Sequence, residues 1–173
     1  MRRSRAALGS AVFFVVAPGA MVGLIPWWIT GWEFREPLPH WAVARVVGVI
    51  LISAGLVPVI HAFAQFARAG GTPAPIAPTE YLVVTGFNRY VRNPMYVGLL
   101  TSILGQALLF GHPGLVLYAA AAWACTASFV RWYEEPTLLR QFGAKYEAYR
   151  RAVPAWWFRL RPWTPGEHDT TPR

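Results

Sequence analysis

The run Asn93–Val130, NPMYVGLLTSILGQALLFGHPGLVLYAAAAWACTASFV, decides how this chain folds. It contains no charged residue over 38 positions. One helix of that length would rise about 57 Å, far more than the roughly 30 Å hydrocarbon core of a bilayer. Gly111-His112-Pro113-Gly114 stands at its centre, and Gly with Pro is the strongest turn punctuation. The run therefore predicts a tight helical hairpin of two short spans, about 94–110 and 114–133.

Two further uncharged runs lie upstream. Ala6–Trp32 gives 27 positions behind Arg2, Arg3 and Arg5. That is too long for the apolar core of a signal peptide, and it ends in interfacial Pro26-Trp27-Trp28, so it predicts a retained span over about 6–32. Val46–Ala67 gives 22 positions between Arg45 and Arg68, with Trp41 at one interface, so it predicts a helix over about 41–67. The fold class expected is an all-α membrane protein of four transmembrane helices in one domain.

Composition agrees. Hydrophobic residues make up 55% and charged residues 14%, against about 25% charged in a soluble domain. Disorder, a disulfide scaffold and a collagen-like chain are excluded, and the single Cys125 has no intramolecular partner. The net charge of +8 is unevenly placed. Three cations precede the first span, three lie in 68–92 and eight follow from Arg131, while 33–44 holds only Arg35 and 111–114 none. The positive-inside rule then puts both termini in the cytoplasm. No nucleic-acid motif accompanies the basic charge. Gly70–Pro78 (GGTPAPIAP) reads as a connection, and 162–173 as a tail. Between them, 134–161 reads as an interfacial segment: an amphipathic helix to Arg151, then Trp156-Trp157-Phe158 with Arg159 and Arg161 at headgroup level.

The hairpin brings two remote segments to one cytoplasmic boundary. Its first helix follows Gly86–Tyr96 (GFNRYVRNPMY), and its second ends in Arg131-Trp132-Tyr133-Glu134-Glu135. Arg, Glu, Asn and Tyr converge where hydrocarbon makes unpaired charge costly. Arg131 and Glu135 are four apart, so a regular helix puts them on one face. Such a set suits a zwitterion carrying an extra cation. Arg forks onto a carboxylate, Glu takes an ammonium, and aromatic faces attract a sulfonium. S-adenosylmethionine has all three groups. A nucleotide or a phospholipid headgroup would also meet these residues.

The segment Gly86–Gly98 (GFNRYVRNPMYVG) resembles the first motif of the isoprenylcysteine carboxyl methyltransferase and phospholipid methyltransferase families. Glu134-Glu135, Leu138, Phe142-Gly143, Tyr146, Tyr149 and Val153-Pro154 resemble their second. Order and spacing agree over about 86–154. The resemblance implies an integral-membrane methyltransferase, here of bacterial type in the cell membrane, that uses S-adenosylmethionine without a dinucleotide-binding domain and acts on a lipophilic acceptor. It implies that Glu135 binds the amino group of the cofactor and that Arg131 lies at the reaction centre. Arg92, Asn93, Pro94, Tyr96 and Gly98 shape the cofactor pocket, and Tyr146 and Tyr149 close it. Glu134 or His61 is the candidate base for an amine or hydroxyl acceptor; a carboxylate acceptor needs none. No metal-ligand spacing is present. Asn93 stands where the prenylcysteine enzymes have His, and Asn88 where Tyr is usual, which leaves the acceptor open. An NADPH-dependent sterol-type reductase and a non-catalytic membrane protein are the alternatives.

Overall fold

Proline sets the shape of the first helix. In a computed structural model, which describes residues 16–68, 82 and 84–164, α1 spans Val16–Thr30 and opens into a π-turn at Ala20–Leu24. Pro26 follows two residues later, without an N–H and with a ring that crowds the carbonyl four residues back. In the widened turn the Ile25 N–H donates to the Ala20 carbonyl. Regular bonds to the carbonyls of Met21 and Val22 are thereby lost. Both oxygens accept bonds from other helices: Gln106 Nε2 donates to Val22 at 2.8 Å, and Tyr118 Oη to Met21 at 3.1 Å. The cost of the proline thus becomes the contact that docks α1 on its neighbours.

The long helix α2 (Ala42–Arg68) packs antiparallel against α3 (Pro94–Phe110). Two glycine pairs, Gly48 with Gly105 and Gly55 with Gly98, let the backbones touch. A Cβ on Gly55 would lie 2.5 Å from the Gly98 carbonyl, and one on Gly105 would lie 2.7 Å from the Gly48 carbonyl. Small residues serve this purpose in membranes, where burial from lipid supplies little drive and close van der Waals packing supplies most of it.

The hairpin lies where the sequence puts it. Gly111 adopts φ +64° beside the Arg35 carbonyl, and α4 begins at Gly114. Three of the last four carbonyls of α3 are met: Trp41 Nε1 donates to Leu108 at 2.8 Å, the Arg35 N–H to Phe110 at 2.9 Å, and the Gly111 N–H to Ala107.

The end of α4 departs from expectation. In place of a span stopping near 133 and a separate surface helix from 134, one helix runs Gly114–Phe142. It passes through a second π-turn at Val130–Glu134, again two residues before a proline, Pro136. Gly143, at φ +54°, breaks it, and α5 (Ala144–Ala152) turns back. At 1.5 Å per residue α4 rises about 44 Å, so it exceeds the roughly 30 Å apolar thickness by its polar last turns. The chain then continues as a strap, 153–164, without regular structure.

All regular structure among the described residues is helical. α2 and α4 are long and apolar enough to cross a membrane; α1 and α3 are apolar but shorter. The expected stretches 6–15, 70–78 and 165–173 lie outside the described residues.

The glycine contact yields a paired prediction. Gly55→Ala places a methyl against backbone atoms, and overpacking of this kind costs about 1–3 kcal/mol, more than the ~1 kcal/mol gained in helix propensity. Gly19→Ala meets nothing within 4 Å. Thermal unfolding in one detergent should fall for Gly55→Ala and hold or rise slightly for Gly19→Ala.

Candidate active site

Arg92 lies between the single turn Gly86–Arg89 and the start of α3 at Pro94. Its surroundings are drawn from three remote segments. Nη1 donates to Glu135 Oε1 on α4 at 2.5 Å and, more weakly, to Tyr146 Oη on α5 at 3.4 Å. Nε donates to the Val153 carbonyl at 2.9 Å, and the Arg92 backbone N–H to the Pro154 carbonyl at 2.9 Å. Asn93 Nδ2 completes the row at the Ala155 carbonyl, 3.2 Å away. Three consecutive strap carbonyls are therefore held by two neighbouring residues. Asn93 is buried and starts α3 without a side-chain cap bond, so its amide is committed to the strap.

Glu135 is 8% exposed and takes a second cation, Arg150 Nη1, at 3.7 Å. The expected shared face with Arg131 is not formed as an ion pair. The π-turn bonds the Glu135 N–H five residues back, to Val130, and so inserts a residue into the turn between the two side chains. Arg131 is left exposed on the flank of α4.

Glu134 differs from its neighbour. Its Oε2 is a buried atom with no hydrogen-bond partner among the described residues. It lies within electrostatic reach of Glu135, Arg92 and Tyr96. Two carboxylates share one small region, and the cations present lie against one of them. A buried acceptor of this kind suits a ligand that brings its own positive charge.

Tyr146 and Tyr149 back the site from α5 in one cluster with Val84 and Val153. Burial pushes both phenols up from their ordinary range, against the opposing effect of Arg92, so they stay protonated donors. Tyr149 Oη donates to the Asn88 carbonyl at 2.7 Å. Gly98 lies in the α2–α3 contact, turned to Gly55. His61 meets the edge of Phe87, ring centroids 5.1 Å apart. The residues that bear on the site without a sequence signal are Arg150 and the carbonyls of Val153 and Ala155; a backbone acceptor leaves no trace in residue type.

The family described as phospholipid methyltransferase matches residues 43–145. The chain belongs to that family. The matched range takes in α2, the hairpin and both glutamates. The chain is also similar to the protein-S-isoprenylcysteine O-methyltransferase of Schizosaccharomyces pombe, 36% identical over 78 residues. That match covers 44% of this chain and 33% of the yeast protein, so the chain aligns with about a third of that relative's length. No solved structure matches.

The double pairing of Arg92 fixes a magnitude. Removing one partner of a buried ion pair costs about 3–5 kcal/mol, because the other charge stays buried alone. Arg92→Met should therefore destabilise strongly in denaturant titrations. Glu135→Met in the same background should add much less than it does alone, giving a coupling energy above about 1 kcal/mol.

Proposed function

We propose that this protein is an integral-membrane methyltransferase that moves a methyl group from S-adenosylmethionine to a lipophilic acceptor at the cytoplasmic membrane boundary. Membership of the phospholipid methyltransferase family supports the reaction class. The observation that carries the donor assignment is the buried, unpartnered Glu134 Oε2 beside the Arg92–Glu135 pair. S-adenosylmethionine is cationic at both its ammonium and its sulfonium, which is the complement that oxygen lacks.

Sequence reasoning gave the ammonium to Glu135. The geometry favours Glu134, because Glu135 already has two cations. Glu135 then positions Arg92, and Arg92 holds the strap that closes the site. Tyr96 and Asn93 line the start of α3, where Pro94 fixes the backbone. Tyr146 and Tyr149 seal the inner side. In this reading Arg131, exposed on α4, holds an anionic group of the acceptor.

The cofactor supplies an electrophilic methyl group on sulfur. The chain's own residues supply proximity, alignment and a water-poor setting in which the electrostatic contacts are stronger. A carboxylate acceptor is nucleophilic as it stands. An amine or hydroxyl acceptor must also lose a proton, and with Glu134 given to the donor's ammonium that role passes to another group or to water.

Four spans with cytoplasmic termini fit this placement. The outward faces of α2 and α4 carry exposed Val43, Ile60, Leu117 and Trp123, a surface that lipid covers. α1, α3 and the hairpin turn complete the bundle. A reporter at His112 should read external and one after Thr164 cytoplasmic; the reverse would move the site to the wrong side.

The donor assignment is tested by ligand binding to purified protein. A charge-assisted bond in a partly dry pocket contributes about 1.5–3 kcal/mol, and 1.4 kcal/mol is tenfold in affinity. Glu134→Gln should weaken S-adenosylmethionine binding tenfold or more and leave the ligand-free protein at least as stable as before. Glu135→Gln should lower stability first. Wild-type affinity in Glu134→Gln would place the ammonium elsewhere. Tight NADPH binding would support the reductase alternative.

A further inference from the structure

The strap has two halves with different partners. Residues 153–155 face inward and hold Arg92 and Asn93 through three carbonyls. The next residues face outward. Trp157 is 69% exposed, Phe158 47% and Leu160 fully exposed. Arg159 and Arg161 alternate with them, and no acidic residue occurs from Ala152 to Thr164. Arg161 is exposed, and Arg159 is partly held through its N–H on Tyr90 and its Nη1 on Ala152.

The strap also lies along the spans. The Trp156 ring meets Trp123 of α4, centroids 6.2 Å apart, about two turns in from the π-turn. Phe158 approaches Phe87, which in turn meets His61 of α2. The exposed apolar residues of the strap thus continue the exposed apolar surface of α4, where Trp123, Phe129 and Trp132 stand out.

We propose that Trp156–Arg161 is a docking surface for anionic phospholipid, and that its engagement with the bilayer holds the Arg92 site closed. Apolar side chains enter below the headgroups while the alternating arginines meet their phosphates. Because residues 153–155 are continuous with this anchor, a strap drawn into the interface keeps its carbonyls on Arg92 and Asn93. A strap that leaves the interface releases them together. A soluble protein partner is the less fitting occupant, since the surface is continuous with faces that lipid already covers. The inference takes the Arg92 region as the site, as proposed above, but neither readout below involves the methyl donor, so its failure is separate from failure of that reading.

The test uses the full chain in nanodiscs of phosphatidylcholine alone or mixed with phosphatidylglycerol. A nitroxide is attached at Leu160→Cys in a Cys125→Ala background, since Cys125 is itself exposed. The label should be reached by oxygen and shielded from an aqueous relaxation agent, more so with phosphatidylglycerol. Amide exchange at Arg92, Arg159 and Trp163, whose N–H groups bridge the strap to 89–92, should slow in parallel. Arg161→Gln should reduce the gain from the anionic lipid about fivefold, the effect of one cation near such a surface. A label in water in both membranes, or depth and exchange that do not change with phosphatidylglycerol, would overturn the proposal. A label already immobile in neutral detergent would assign the surface to a protein contact and overturn it equally.

Discussion

A largely buried guanidinium has to be matched on every side, and the end of this protein that carries Arg92 is arranged around that requirement. Arg92 reaches α4 through Glu135, α5 through Tyr146 and the strap through Val153, while its own N–H holds Pro154. These partners are 43 to 62 residues away in sequence. A planar fork with several donors can serve separate acceptors at once; the point charge of a lysine on a flexible stem could not hold the same set in place. The loop, the helix end and the strap are therefore ordered by one side chain. What closes the site is also what stabilises this end of the fold.

Proline-linked π-turns supply the second constraint, and they are used twice. At α1 the turn opens two carbonyls, which Gln106 and Tyr118 take up. At α4 it lies immediately before Glu135, and π-turns are often found at functional sites. There it separates Arg131 from Glu135 and lets Glu135 turn to Arg92. A regular helix would have given an Arg131–Glu135 pair at the surface, worth about 0.3–0.5 kcal/mol. The widened turn gives a buried pair that holds three segments.

Much of this was legible in the sequence. Uncharged runs located the helices, the GHPG turn located the hairpin, and the Arg92-to-Gly98 and Glu134-to-Pro154 spacings pointed to segments that do meet. The part that was not legible has specific causes. Pro136 two residues past Glu134 was visible, but helical periodicity assumes 3.6 residues per turn and does not register an inserted one. Gly98 looked like a pocket residue within a motif; its neighbour is Gly55, in a helix read separately. The strap bonds through backbone carbonyls, which any residue offers, so no side-chain pattern announces them.

The adjacency of Glu134 and Glu135 has a consequence for how ligand and fold are coupled. Two carboxylates in one water-poor region repel, and each is costly to desolvate. The cations within reach, Arg92 and Arg150, lie on Glu135. The chain thus neutralises one carboxylate and leaves the other with a buried, unmatched oxygen. On the proposed donor assignment, filling that deficit from outside relieves repulsion felt by both, so a cationic ligand would stabilise the Arg92–Glu135 pair as well as Glu134. Binding energy then appears partly as firmer attachment of the strap, because Arg92 carries it. A neutral ligand of the same shape would fill the space without this gain. On the donor assignment proposed above, selectivity for a cationic ligand is in this way tied to the folding of this end of the chain, through one buried carboxylate oxygen left unmatched.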